Sequence, residues 1–282
     1  MKLIYILSNL RSNPLSSLGR SYNFSLLVSP LDEDRSTDTA DVISYVKLVH
    51  SDRHISKVSK TCLQNGSVAE INANNSTFKV ALDSVALTIE AAKTKNFALC
   101  ALPGHHASRE ISKGFCIFNN IAIGTNYLLS QGNRVCVIDF DGHHGDGTES
   151  VFKNEERVLF CSLYQSGSYA SPIKFKGRKN VISQSINPRN GDEELVNWVS
   201  SLEERILSFN PDIIGVSAGF DGYCKDQLLD LRYTLEGFER LGKKIADFKK
   251  PTFAVLEGGY HQDIVECASS FIKGFNYRGS QS

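Results

Sequence analysis

The sequence predicts an α/β protein, one domain over residues 1–282, with a mostly parallel central sheet and helices on both faces. Three observations carry this. Short apolar runs alternate with longer helical patterns along all 282 residues. Such alternation implies parallel strands joined by right-handed crossovers. Several runs are apolar nearly throughout, as strands buried on both faces are. Finally, 41% of the residues are hydrophobic, enough for a sizeable core, and no repeat or linker divides the chain.

The elements follow in order. The opening, Met1 to Ser8, has too short an apolar run for a signal peptide and reads as a strand over 2–8. Helical spacing then covers 38–47 and 51–62, and 64–76 is a largely polar loop. The clearest helix is 76–95, with Val80, Ala81, Val85, Ala86, Ile89 and Ala92 on one stripe. A strand at 97–102 follows, then a helix at 119–131 and strands at 134–141, 158–164 and 181–186. The segment 165–180 is a second polar loop. A helix over 191–208 has Asp192 or its neighbours to cap it. The strand 212–218, helix 234–248, strand 252–257 and helix 262–273 complete the chain.

Composition excludes several classes. Lys+Arg and Asp+Glu both number 31, so the neutral chain offers no electrostatic footprint for nucleic acid. No run approaches the roughly 20 apolar residues of a membrane span. The seven cysteines form no C-x-x-C pair, which argues against a zinc ribbon or a thioredoxin-type site. Scattered thiols in apolar runs fit a reducing compartment, so the expected location is cytoplasmic, or nuclear in a eukaryote.

In an open parallel sheet, ligands bind beyond the carboxyl ends of the strands. Four strand ends here carry Asp, His or Tyr beside glycines: Gly104-His105-His106, Asp139 to Gly147, Gly219-Phe220-Asp221 and Gly258-Gly259-Tyr260-His261. Four of the seven histidines fall in two tandem pairs at two of these ends. Asp141 and His143 stand two apart, so on an extended exit they point the same way. With Asp221 they offer one imidazole and two carboxylates, a set suited to Zn²⁺ and also to Fe²⁺ or Mn²⁺. Three protein ligands leave a position open, which is the catalytic pattern.

His105 and His106 suit proton transfer beside such a metal, with Asp139 and Asp146 free to orient them. A base of this kind is expected to titrate as an ordinary histidine. His144 is read as packing structurally, while His50, His54 and His261 have no partner pattern. Tyr260 follows two glycines that let backbone approach a ligand, and its hydroxyl suits a developing oxyanion. Gly114 and Phe115 are read as lining an approach channel.

Five segments then stand in order: Pro103-Gly-His-His-Ala107, Gly114-Phe-Cys-Ile-Phe-Asn-Asn120, Asp139-Phe-Asp-Gly-His-His-Gly-Asp-Gly-Thr148, Ser217-Ala-Gly-Phe-Asp221 and Leu256-Glu-Gly-Gly-Tyr-His261. Together they resemble the zinc-dependent histone deacetylase and acetylpolyamine amidohydrolase family, of arginase–deacetylase fold, in its class II-like form. The resemblance implies one zinc on Asp141, His143 and Asp221. It implies His105 and His106 as tandem base and acid, oriented by Asp139 and Asp146, with Tyr260 polarising the carbonyl. It further implies a substrate tunnel along Gly114, Phe115, Leu228, Gly258 and Gly259, with Tyr169 a candidate for the second wall. A structural potassium ion is implied at Asp139, Asp141, His143, Ser162 and Leu163, mostly through backbone oxygens.

The chain departs from the family at its rim. It lacks the usual His-Pro-Glu-Arg-Pro stretch near the N-terminus, and Lys225 and Gln227 replace Gly and Pro after Asp221. Three functions are therefore weighed: an amidohydrolase removing acetyl or other short acyl groups from lysine side chains, a deacylase of small amines such as acetylpolyamines, and a catalytically silent acyl-binding module. The filled catalytic positions argue against the last. Leu228 falls near the position where polyamine-selective members carry an acidic guard, and a leucine offers no charge to a second ammonium.

Overall fold

The computed structural model describes residues 1–5, 14–15, 20, 39–170 and 179–277. In chain order the first elements are β1 (Leu3–Ile4), α1 (Thr39–Val46), α2 (Asp52–Leu63), β2 (Ser67–Val68), β3 (Ile71–Asn72), α3 (Asn75–Thr94) and β4 (Phe97–Ala98). Next come α4 (Asn120–Ser130), β5 (Val135–Asp139), α5 (Asp146–Phe152), β6 (Val158–Gln165) and β7 (Val181–Ile186). The chain continues with α6 (Asp192–Ser201), α7 (Glu203–Phe209), β8 (Ile213–Ala218), α8 (Leu235–Ala246), β9 (Thr252–Leu256) and α9 (Ile264–Phe275). Expected strand residues 6–8, helix residue 38 and loop residues 171–178 lie outside the described residues.

Seven strands form a parallel sheet in the order β1-β4-β9-β8-β5-β6-β7. Every residue of β5, β8 and β9 is buried, which explains their unbroken apolar runs. Register assigns the two faces. Phe97 pairs with Ala254, so Phe253, one residue earlier, points the opposite way. On Phe253's side α4 comes so close that a Cβ on Gly124 would meet the ring at 3.2 Å. On the other side Phe97 meets Phe271 of α9 at 6.2 Å, and Phe140 and Phe220 pack on Phe238 of α8. Helices thus cover both faces.

Caps set the helix starts. Ser51 accepts the N–H of His54 at 3.1 Å, Asn74 forms a capping box with Thr77, and Thr234 accepts the N–H of Gly237. Asp192 does not cap its own helix; its carboxylate accepts the N–H and hydroxyl of Thr234, fastening α6 to the start of α8.

Four expectations need correction. The strand expected at 97–102 ends at Ala98, because the N–H of Cys100 turns back to the carbonyl of Ala98 at 3.0 Å. The helix expected at 191–208 breaks at Leu202, where the hydroxyls of Ser200 and Ser201 bond the carbonyls of Val196 and Trp198. The loop 64–76 contains the β2–β3 hairpin, turning through Ala69 and Glu70, both at positive φ. Finally, α5 was not expected, since its second residue is Gly147. That glycine is required by contact: a Cβ there would lie 2.4 Å from the backbone of His106.

Candidate active site

The chain runs from β5 outward through β6 to β7, then returns across the sheet to β8 on the other side of β5. The β5/β8 junction is therefore the switch point where an open sheet leaves a crevice. Asp141 and His143 leave β5 there, and Asp221 leaves β8. His105 and His106 follow β4, and Tyr260 follows β9. All six belong to one cavity of about 240 Å³, which Glu70, Pro103, Gly114, Phe115, Tyr169, Leu228 and Gly258 also line.

One donor atom each from Asp141, His143 and Asp221 lie within 4.8 Å of one another. His143 Nδ1 donates to Asp221 Oδ2 at 2.7 Å and stands 3.3 Å from Asp141 Oδ1. The second oxygens are tied to the main chain: Gly142 N–H donates to Asp221 Oδ1 at 2.8 Å, and Gly258 N–H to Asp141 Oδ2 at 2.7 Å. Burial opposes a charge on His143, yet Asp221 and Asp141 outweigh it and lift its pKa to about 10. Asp141, despite its burial, is held well below the usual carboxylate range by His105 and His143. Burial and the charge on Asp141 raise Asp221. Two buried carboxylates thus focus on one imidazole nitrogen that must borrow a proton. A divalent cation fits the place of that proton.

The tandem histidines each have a carboxylate. His105 Nδ1 donates to Asp139 Oδ2 at 3.0 Å, and His106 Nδ1 to Asp146 Oδ1 at 2.9 Å. Their rings lie 4.1 Å apart, and His105 Nε2 is 3.7 Å from Asp141 Oδ1. Their environments push them in opposite directions. For His105, burial is outweighed by Asp141 and Asp139, which raise its pKa well above the ordinary value. For His106, burial and then the charge of His105 lower it to about 4. The two imidazoles are thus pushed apart, His105 toward its protonated form and His106 toward its neutral form.

Tyr260 is 5% exposed, with its ring edge-on to Phe115 at 5.7 Å. Phe115 itself sits at φ 64, and Gly114 at φ 56 lies so close to His106 that a Cβ would meet its Cδ2 at 2.5 Å. The strained Phe115 backbone is held by its N–H, which donates to Ala69 at the hairpin tip. Tyr169, 59% exposed, stands 5.5 Å from the His106 ring and forms part of the cavity wall.

One residue that the resemblance places on the tunnel lies off the cavity lining. Gly259 does not line the cavity; at φ 121 its Cα faces Ile264 and Phe220, and its carbonyl accepts from Arg20. Asp139 pairs in register with Ser162, so the residues Asp139, Asp141, His143, Ser162 and Leu163 gather at the adjoining ends of β5 and β6. His144 is buried between Ser162 and Glu149, as its structural reading requires. His50 has partners after all, donating to the carbonyl of Arg109 and accepting from the N–H of Asn119.

Several site residues escaped the sequence reading. Glu257 accepts the N–H groups of Gly104 and His105 at 2.6 and 3.0 Å, and burial pushes its pKa up to about 7. Arg20, fully buried, donates to the carbonyls of Gly259, Ala101 and Glu257 and covers the Tyr260 ring at 5.0 Å. Lys113 bonds the second oxygen of Asp146. Glu70 accepts from Gly114 N–H at 2.7 Å at the cavity rim. Each partnership spans tens of residues or more, so no local pattern signals it. The run Leu256-Glu257-Gly258-Gly259 alone placed Glu257 at a strand end.

Among relatives, a probable deacetylase of Archaeoglobus fulgidus is 37% identical over 177 residues, 58% of this chain and 49% of that protein. Histone deacetylase 5 of Arabidopsis thaliana is 30% identical over 286 residues, 90% of this chain and 43% of that protein. The chain thus spans about half the length of these curated relatives. The crystal structure of an acetylpolyamine aminohydrolase from Burkholderia pseudomallei superposes with a TM-score of 0.78 at 23% identity, covering 98% of each chain. That likeness establishes the arginase–deacetylase fold. The family described as histone deacetylase domain matches residues 23–274, nearly the whole sheet and every strand end described above. The chain is accordingly a member of the histone deacetylase domain family.

Proposed function

We propose that this chain, as one catalytic domain, is a zinc-dependent amide hydrolase that removes acetyl or another short acyl group from lysine side chains. The observation that carries the reading is the convergence of Asp141, His143, Asp221, His106 and Tyr260 on one cavity beyond the switch point. Zinc on the three ligands would supply Lewis-acid polarisation of the amide carbonyl and of the attacking water.

The chain's own residues do the rest. His106, neutral and oriented by Asp146, takes the water proton at Nε2. The water oxygen bonds to the amide carbon as the Tyr260 hydroxyl donates to the carbonyl oxygen, where negative charge develops. The C–N bond then breaks, and a protonated imidazole delivers its proton to the amine nitrogen. The products are a short carboxylic acid and a free amine. Phe115 and Tyr169 flank the aliphatic stem and exclude water from it. A potassium ion near the paired ends of β5 and β6 belongs to the same proposal, supported by the buried Asp139 and Ser162 in register there. Each of the seven cysteines is a free thiol, which supports a reducing, cytoplasmic setting. No described helix is long and apolar enough to cross a membrane.

A second reading, hydrolysis of small acylated amines, is favoured by the Glu70 carboxylate at the rim, which would attract a distant ammonium. Leu228, also on the cavity lining, offers no such charge. An exposed carboxylate adds only about 1 kcal/mol, so it tilts preference without setting capability. The test is turnover of acetyl-lysine peptides, longer acyl-lysines and acetylated spermidine, with metal content measured on the same sample. Acyl-lysine peptides are expected to be the better substrates, and Leu228→Glu to shift the ratio toward polyamines. A preference for acetylpolyamine of roughly tenfold or more, about 1.4 kcal/mol, would install the second reading. No turnover of any of them would leave an acyl-binding module.

A further inference from the structure

Tyr260 follows two glycines, and Gly259 adopts a φ of 121. Such a segment has wide conformational freedom by itself. No described residue bonds the Tyr260 hydroxyl, so its ring is held by packing, including contact with Phe115 and Arg20. Hydrogen bonding fixes the main chain instead. The N–H of Tyr260 donates to Asp226 Oδ2 at 2.5 Å. The other oxygen of the same carboxylate, Oδ1, accepts the N–H of Leu228 at 3.0 Å, and Leu228 also lines the cavity. Asp226 is 8% exposed, and its own N–H is anchored on the carbonyl of Tyr223 at 2.8 Å. A second clasp joins the same two segments, with Lys225 and Tyr223 both donating to Asp263.

We propose that Asp226 is a positioning residue that sets the height of the Tyr260 hydroxyl over the scissile carbonyl by tethering the Tyr260 main chain to the loop after Asp221. The inference rests on the hydrolase reading above. A carboxylate accepting two backbone N–H groups is a charge-assisted, geometrically stiff tether, and an oxyanion donor works only within a few tenths of an ångström of its place. Gly258 and Gly259 stay held by Asp141 and Arg20, so losing one of the two bonds frees the Tyr260 main chain itself and lets the ring shift without removing any group that touches substrate.

The test is a double-mutant cycle with Asp226→Asn, which keeps the shape but cannot accept both N–H groups. Asp226→Asn is expected to lower kcat about tenfold, with KM within about twofold and metal content and Tm unchanged. In the Tyr260→Phe background the same substitution should cost less than about twofold, because the hydroxyl it positions is already gone. Equal losses in both backgrounds, or a loss confined to KM, would overturn the proposal and assign Asp226 to the rim or to the fold. Hydrogen exchange of the 258–264 and 223–229 segments separates this result from failure of the hydrolase reading. If the native protein hydrolyses no acyl amide, that reading falls, and exchange alone decides the tether. Faster exchange at Tyr260 and Leu228 in Asp226→Asn upholds it, and unchanged exchange rejects it.

Discussion

Gly258 donates its main-chain N–H to Asp141 Oδ2 at 2.7 Å, joining the end of β9 to a side chain that leaves β5 with β8 lying between them. The contact leaves no room for a side chain. A Cβ on Gly258 would lie 2.5 Å from Asp141 Oδ2 and 2.6 Å from Asp221 Oδ2. Because φ at Gly258 is not among the positive values, space alone demands glycine here. Gly258→Ala is therefore expected to push two of the three ligands aside. Metal affinity should fall about 10–100-fold, the range seen when partners of metal ligands are disturbed. Measured metal content and turnover at their native levels would show that the two carboxylates do not occupy these places during catalysis.

Asp221→Ala removes one of three ligands and leaves His143 with a single carboxylate. Both bound zinc and activity should be lost, since a two-ligand site retains metal poorly. Chelation of the native protein should have the same effect and be reversed by added zinc. A metal-replete, active Asp221→Ala protein would sink the ligand assignment.

Tyr260→Phe should keep zinc and fold and lose turnover by a factor of roughly 10²–10³. The ring contacts with Phe115 and Arg20 survive the change, so KM should move little. A loss below about threefold, ~0.65 kcal/mol, is too small for an oxyanion donor.

The pH profile should differ from that of an ordinary histidine base. The reactive form is neutral, so the rate rises with pH through the base's pKa. Burial and His105 place His106 at about 4. Between pH 5.5 and 7.5, kcat/KM should therefore be flat to within about twofold. A tenfold fall from pH 7 to 5.5 would mean that the base titrates in the usual imidazole range, as the sequence alone suggests.

His50 makes a separate prediction about stability. Burial and the neighbouring His54 lower its pKa from 6.5 to about 3 in the folded protein. The unfolded chain then binds the extra proton, so stability is full above about pH 6.5 and is lost as pH falls toward the folded pKa. From pH 7 to 5 this loss is about 2 kcal/mol. His50→Asn should be the less stable protein at pH 7, and the gap should narrow by about that amount at pH 5. A gap independent of pH in denaturant unfolding would show that His50 is not held neutral.

The strand ends and the polar groups gathered on them were legible because physics ties them together. Strands buried on both faces read as apolar runs, and their carboxyl ends are where polar groups can converge. The same logic fails for structure fixed by distant partners. Ala69 and Glu70 take positive φ without a glycine because Phe115 N–H and Gly114 N–H dock on the turn they form. No local signal announces that, and the segment reads as a loop. Likewise α5 is masked by Gly147, whose reason is contact with His106. The resemblance places Gly259 on the tunnel, yet its carbonyl turns to Arg20, a residue 239 positions away. The pKa split of the tandem histidines was equally hidden, since it depends on which imidazole faces Asp141.

The ladder Ser162–Asp139–Ser217 locks β6, β5 and β8 in register, so the distances among Asp141, His143 and Asp221 are inherited from the sheet. The mouth has a different origin. Glu70, Tyr169 and Leu228 come from three connections that contribute nothing to that ladder. Reaction and recognition are therefore separable by heredity. Exchange of these connections can change what the mouth admits without disturbing the spacing of Asp141, His143 and Asp221, whereas a two-residue slip of one central strand would carry one of these side chains about 6.6 Å away and break up the cluster at a stroke.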